Sequence, residues 1–592
     1  MRCRHESLLP GLLLIGILLS PRLAMALRLD VRIEGLDGAL LSNVLGLLDI
    51  HQERNDESLT TERLALLHRL APEQIREALA PFGFYQVSIA DQLEEPDDAT
   101  SPWRATYRVT PGEPVKIGVV DYQIVGAGAD NSAFPRAFPM QVGDVLLHSA
   151  YEKAKSELRD TASAQGYLDA RLVQHQVLVD PVANNARIQF HLDTGPQYRI
   201  GQVSFSQDLL DETLLRRYVD FKPGVVYDPD LLLGLQGRLL GSEYYSAVEI
   251  VPRLDQASAD HEVPVDVIAT RNMPNKYRIG VGFATDVGPR LSMDWQRRYL
   301  NRWGHRLRTE LSLSPALSSL ALDYRIPLHD PTRDYLIIKP QSVYSDTATS
   351  KGWQHTLQIA HSTLTPDGWR RNLGLDYRYE DLDDGINSIG ATSELVPNVS
   401  WSKTVSDDPI NTSRGYRIKY TLLGAVAGLV SPTSYLSGQF QFKWIRRFAE
   451  RYRFITRADL GATLAGSAGD LPVSRRFYAG GDQSIRGWGY GTLGPQDPNG
   501  VTIGGRYLAV GSLELERQIA GPWSVAVFSD FGNAFDLDDA QGIQQSVGFG
   551  LRWASPIGQV RCDLAFALTK DQEQDSSGLP PVRLHLVIGP DL

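Results

Sequence analysis

A period of two, running from Asn275 almost to the end of the chain, constrains the fold more than any other feature. Arg306, Arg308, Glu310 and Ser312 share one face of a segment whose other face carries Leu307, Leu311 and Leu313. From Asn372 to Glu380 the pattern recurs, with Leu373, Leu375, Tyr377 and Tyr379 opposite Gly374, Asp376, Arg378 and Glu380. Segments of about ten residues with one oily and one polar face are strands standing between lipid and a wet lumen. Sixteen such segments begin near residues 276, 289, 305, 318, 334, 353, 369, 394, 414, 434, 452, 505, 523, 545, 558 and 582. An even number lets an antiparallel sheet close on itself, and closure is obligatory because hydrocarbon cannot satisfy an open edge. A water-soluble sandwich would place turns about every 8–12 residues. Here eleven segments pass before any long insertion, and Tyr299, Trp303, Trp353, Trp369, Trp401 and Trp444 fall near segment ends, as interfacial aromatics do.

The insertion between the eleventh and twelfth segments is rich in glycine and carries one prominent cation, Arg486, within residues 475–495. The two segments that follow each place an acid on the mainly polar face. Glu514 sits with Val510, Ser512 and Glu516, and Asp530 with Ser524, Ala526 and Phe528. A loop cation and two matching carboxylates predict a loop folded into the lumen and held by a charge-assisted contact. A solvated extracellular loop is the alternative. Gly489-Tyr490-Gly491-Thr492-Leu493-Gly494 imitates a dinucleotide-binding fingerprint, but Pro495 and Asp497-Pro498-Asn499-Gly500 follow, so no helix begins there.

The closing seam is expected to be weak. In the last segment Val582, Leu584, Leu586 and Ile588 alternate with inward Arg583 and His585 before Gly589-Pro590, and Pro590 cannot donate a ladder hydrogen bond. The neighbouring first strand is read as carrying Gly280, Gly282 and Gly288-Pro289. The plainer reading is that Gly589 and Pro590 simply end a strand.

Before the alternating region the chain is written in repeats. Gly-Phe-Tyr at 83–85, Gly-Tyr-Leu at 166–168 and Glu-Tyr-Tyr at 243–245 each follow a helical pattern and precede a strand pattern. A second marker, Thr110 to Gly118, resembles Thr194 to Gly201, and the Gly83-to-Gly166 and Gly112-to-Gly195 separations are both 83 residues. Each unit reads strand, helix, helix, strand, strand, which makes a small α+β domain with a strand edge able to accept another chain. A rigid spacer is the other use for such units.

Residues 1–26 read as a secretory signal, with Arg2 and Arg4, an apolar run from Leu8 to Leu19, and Ala24-Met25-Ala26 at the cleavage site. Its removal takes the net charge from −11 to −13, which excludes nucleic acid as a partner. Cys562 is then the only cysteine and has no disulfide partner. There is no Gly-x-Ser-x-Gly or His-Glu-x-x-His, so no enzyme, cofactor, metal or catalytic residue is expected.

Taken together these residues resemble the outer-membrane assembly superfamily that joins periplasmic POTRA repeats to a sixteen-stranded barrel. The resemblance rests on Phe477-Tyr478-Ala479-Gly480-Gly481-Asp482, Ser484-Ile485-Arg486-Gly487-Trp488, the strands around Glu514 and Asp530, and the Gly-Pro-Asp-Leu terminus. Three repeats with that terminus point to its TamA branch. Trp488 departs from the Phe or Tyr that relatives often carry. The resemblance implies a signal peptide at 1–26, POTRA domains at 27–112, 113–197 and 198–272, and at 273–592 a 16-stranded antiparallel transmembrane β-barrel with an inward-folded Gly-rich loop. It implies that Arg486 contacts Glu514 and Asp530 and that the first and last strands form a lateral gate for nascent outer-membrane proteins. Its implied partners are a TamB-like, inner-membrane-anchored protein at the first repeat, unfolded outer-membrane clients such as autotransporters, and outer-membrane lipid. A two-partner secretion transporter resembles the same loop, but usually with two repeats and a plug helix.

Overall fold

The computed structural model describes residues 27–589 apart from 97, 99, 100, 385–389, 429, 538–541, 557 and 570–580; the expected signal segment and Pro590 lie outside the described residues. Residues 275–589 form a closed barrel of sixteen strands, each antiparallel to its neighbours in chain order. The strands begin within three residues of the positions read from the alternation. Leu373, Leu375 and Tyr377 face out along the seventh strand, Arg370–Asp383, while Glu380 is buried within. No described helix is long and apolar enough to cross a membrane.

Strand length varies around the barrel. The seventh and eighth strands have 14 and 15 residues, whereas the first, Asn275–Ala284, has 10 and the last, Val582–Gly589, has 8. A spanning strand needs about 9–11 residues, so the wall is low around the closure, the third strand, Arg306–Leu313, also having 8.

Each N-terminal unit is a three-stranded sheet. In the first unit, Leu29–Glu34 lies parallel to Trp103–Thr110, which pairs antiparallel with Ser88–Glu94. Parallel neighbours need a crossover, supplied here by helices Gly38–Leu47 and Thr61–Leu79, whose Val44, Leu64, Leu67 and Ile75 pack on Ala105 and Tyr107. The second unit repeats this order with Lys116–Val125, Asn185–Asp193 and Arg171–Asp180. The third uses Arg199–Ser206, Glu262–Arg271 and Tyr245–Pro252.

The second unit departs from the expected pair of helices. Among its described residues only His148–Ala164 is an α-helix. Gly126, Gly128, Pro135 and Pro139 break up the stretch before it. Irregular chain delivers Phe134, Phe138 and Met140 to the core instead, against Tyr151 and Phe190.

The repeated marker has one structural job. Gly83 and Gly166 both have positive φ, and a Cβ on either would lie 2.7 Å from a backbone oxygen. Their carbonyls accept from Val115 at 2.8 Å and Tyr198 at 2.7 Å, where the following unit starts. In the third marker Glu243 holds the same left-handed conformation, φ 60°, without being glycine. Its carboxylate takes Lys276 at 2.9 Å and Gln296 at 3.2 Å, and Tyr244 stacks under Arg306 at 4.2 Å, so this marker ties the third unit to the barrel base.

Candidate functional site

The long loop lies between strands Tyr452–Leu464 and Tyr507–Ala520, the eleventh and twelfth of the barrel. A short ribbon organises it. Phe477 and Gly505 exchange two backbone hydrogen bonds of 2.8 Å, and Ala479 and Leu493 exchange two of 2.9 Å. At the tip, Gly480 and Gly481 have φ of +99° and +105°, and a Cβ on Gly480 would stand 2.4 Å from the Gly489 carbonyl. Only glycine suits that close approach. Ile485 and Trp488 then pack with Ala479, Leu508, Val510 and Ala567, leaving Trp488 buried.

That packing points Arg486 at the wall. Its Nε and Nη2 donate to the two oxygens of Asp530 at 2.8 and 2.9 Å, and its own backbone N–H donates to Asp530 at 3.0 Å. Nη1 donates to Glu514 at 2.7 Å and to Asp563 at 3.1 Å. The guanidinium lies 3.4 Å over the Phe528 ring. Glu514 and Asp530 come from the twelfth strand and the thirteenth, Trp523–Phe535, and Asp530 is fully buried. The structure therefore brings together the cation and both acids singled out from the sequence.

The cluster extends further than those three residues. Arg552 donates to Glu514 at 2.6 Å and pairs with Asp563, and Arg453 donates to Glu516 at 2.6 Å. Arg457 lies 3.9 Å from Asp530 and donates to the Ser484 carbonyl at 2.8 Å. Four guanidinium groups thus face four carboxylates, all inside the barrel. Burying charge is tolerable only with extensive pairing and hydrogen bonding, and here only the Nε of Arg457, among the buried nitrogens of the four guanidinium groups, is left without a partner. The root of the loop is held separately, by Arg475 on Glu394 at 3.0 Å and Arg476 on Asp384 at 3.1 Å.

Gly487, at φ +111°, closes against the wall, where a Cβ would meet Ser546 at 3.3 Å and Ala567 at 3.4 Å. Asp482 pairs with His585 of the last strand, and its backbone N–H donates to Asp286 at 2.5 Å. Asp286 stands in the turn between the first strand and the second, Gly288–Arg297. The loop therefore touches both sides of the closing seam.

Among the described residues the seam has a single register pair, Ala284 opposite Val587. One side-chain contact adds to it, the Leu586 N–H donating to Thr285 Oγ1 at 2.8 Å. By contrast the sixth and seventh strands pair without a break from Lys351 opposite Asp383 to Leu364 opposite Arg370. Gly280 and Gly282 stand opposite Ser292 and Arg290 on the side away from the seam. Gly288 belongs to the second strand rather than the first, because its φ of +79° makes the hairpin turn. Gly589 ends the last strand opposite Gln559.

Residues 304–590 match the Omp85 superfamily domain, and residues 30–111 match the POTRA domain described as TamA domain 1. The chain is a member of the Omp85 superfamily. It is 26% identical over 538 residues to the outer membrane protein assembly factor BamA of Nitratidesulfovibrio vulgaris, covering 73% of this chain and 67% of that one. To BamA of Neisseria meningitidis serogroup B it is 26% identical over 587 residues, covering 85% and 71%. The fold is similar to the crystal structure of BamA from Haemophilus ducreyi lacking POTRA domains 1–3, with a TM-score of 0.69 at 16% identity over 80% of this chain and 99% of that one. This Omp85 chain is an outer-membrane protein with its POTRA units on the periplasmic side.

Sequence reasoning missed Arg453, Glu516, Arg552 and Asp563 as parts of the Omp85 charge cluster. A signal for them existed. Arg552 and Asp563 lie on the polar face of their strands, and between them Gly550 leaves space that a Cβ would fill, 1.9 Å from Asp563 Oδ1. A glycine beside two inward charges marks where long side chains cross.

Proposed function

We propose that this Omp85 protein is an outer-membrane insertase that assembles β-barrel clients, including autotransporters, through a lateral gate between its first and last strands, and does no covalent chemistry. The observation that carries this reading is that, among the described residues, the closure has a single register pair, Ala284 with Val587, whereas every other strand pair is extensively laddered. An under-bonded edge offers backbone donors and acceptors to an incoming strand, the general basis of strand addition. The short flanking strands support it, since a low wall favours a thinned bilayer, and thinning lowers the barrier to insertion.

The POTRA units hold clients before insertion, and their sheet edges, such as Ser88–Glu94, are suited to that use. The TamA-type match of residues 30–111 favours a TamB-like, periplasm-spanning partner docked on the first unit. Arg486, Gly487 and Trp488, with Glu514 and Asp530, act as the lock that fixes the loop, and Phe477, Gly480, Gly481 and Asp482 shape it. Gly280, Gly282, Gly589 and Pro590 belong to the gate, with Gly288 in the hairpin turn beside it.

The test joins the seam covalently. In a Cys562→Ala background, cysteines at Ala284 and Val587 are oxidised to a disulfide, and assembly of an autotransporter barrel is followed in reconstituted vesicles. Assembly falls sharply in the oxidised protein and returns on reduction. Undiminished assembly with the seam locked would overturn lateral opening.

A further inference from the structure

Asp286, Asp482 and His585 come from three segments far apart in the sequence: the turn after the first strand, the loop tip, and the last strand. One ligand atom from each lies within 4.8 Å of the other two. Asp482 and His585 are buried, with 9% and 1% of their surface exposed. Two oxygens are left over. Asp482 Oδ2 and Asp286 Oδ1 are shielded from solvent and have no hydrogen-bond partner. A carboxylate oxygen buried without a donor is costly unless a cation answers it.

We infer that Asp286, Asp482 and His585 form a divalent transition-metal site of the zinc class that clasps the barrel seam. The donor set of two carboxylate oxygens and one imidazole nitrogen suits zinc or manganese, whereas magnesium and calcium favour oxygen throughout. Three protein ligands leave a coordination position for water. That position opens on a cavity of about 680 Å³ lined by Asp286, Asp482, Tyr490 and Val587, through which the ion and its water enter.

The proton balance is simple. The Gly487 N–H lies 3.4 Å from His585 Nε2, so in the metal-free form the ring proton sits on Nδ1, toward Asp482. A cation takes that proton's place between Nδ1 and the Asp482 carboxylate, and the proton moves to Nε2 at the expense of one long contact. Neighbouring Arg583, whose Nε is buried without a partner, offsets part of the remaining negative charge beside Asp286.

Because the ligands lie on both sides of the seam and on the loop between them, the ion joins the first hairpin to the last strand where the backbone ladder does not. Its effect on opening rests on the lateral-gate reading; its binding does not. The two therefore fail separately.

The experiment uses tag-free protein in detergent, lacking residues 1–26 and carrying Cys562→Ala, so that no thiol remains. Equilibrium dialysis against zinc, followed by elemental analysis, measures binding. One ion per chain is expected, and Asp482→Asn or His585→Gln weakens it by about tenfold or more. Asp286→Asn keeps the Asp482–His585 pair, so its loss of affinity cannot be put down to misfolding. Spin labels at Val281 and Leu584 report the seam, and zinc narrows their distance distribution in the parent but not in Asp286→Asn. Absence of saturable binding at micromolar zinc, or binding that survives Asp286→Asn and His585→Gln, overturns the site and leaves a hydrogen-bonded staple. Binding without any change in the labels keeps the site and overturns the clasp.

Discussion

Asp563 accepts from Arg486 at 3.1 Å with one oxygen and pairs with Arg552 through the other, so a loop cation and a wall cation are joined through one carboxylate. The lock is therefore a network rather than a pair. Arg486 is the member that leaves most behind when removed, because Asp530 loses both of its side-chain donors from that guanidinium.

Arg486→Ala should cost about 3–5 kcal/mol, the usual consequence of stranding a buried carboxylate. The check is the temperature at which the purified barrel loses its compact migration on detergent gels. Arg486→Lys restores charge but not the fork that holds both Asp530 oxygens, so it recovers only part of the loss.

Arg486→Ala and Asp530→Ala should be far from additive. Each leaves the other's charge without its main partner, while the double variant removes both. A double-mutant cycle should give a coupling of about 0.5–3 kcal/mol, read from denaturant midpoints in micelles. Two independent contributions would instead sum, and the network description would fall.

Gly480 and Gly500 both have positive φ, +99° and +82°, but only Gly480 has a neighbour, the Gly489 carbonyl, in the way of a Cβ. Gly480→Ala should lower the barrel's unfolding temperature clearly more than Gly500→Ala. Strain alone would make them equal, so the difference isolates the close approach at the loop tip.

Glu243 is held below its usual carboxylate range, first by its hydrogen bond from Lys276 and against the opposing effect of burial. A lowered folded value means the stabilisation is whole above the ordinary glutamate range and is lost as pH falls through the folded one. Cleavage of the segment near Asn272 by an acid-tolerant protease should therefore rise between about pH 5 and pH 3, and Glu243→Gln should remove that dependence. The pair is partly exposed, so the effect at neutral pH stays within about 1 kcal/mol. Glu243→Gly should separate the terms, since it abolishes the ion pair but relieves a backbone held at φ 60°.

The barrel was legible because lipid on one side and polar lumen on the other impose a two-residue period repeated over sixteen successive segments. Thr392–Ser406 and Tyr435–Phe448 could be placed from that period alone. The second helix expected in the middle repeat was not there, because the repeat pattern was carried over a stretch whose prolines and glycines forbid it. Arg486, Glu514 and Asp530 could be read together, being the loop's prominent cation and an inward acid on each of the next two strands. Arg453 could not. Its partner Glu516 lies on the neighbouring twelfth strand, but nothing in the local pattern of either strand says which of several inward charges meet. Likewise the approach of Asp482 to His585 depends on how far the loop reaches across the lumen, which composition does not encode.

Among the described residues, the first strand from Asn275 to Phe283 has no ladder partner for its amide and carbonyl groups on its seam side. Oil offers such groups nothing, so the surroundings must. On the lateral-gate reading, water or lipid headgroups reach down along this stretch, a hydrated notch in an otherwise greasy flank. A newcomer arriving there meets moisture before it meets hydrocarbon.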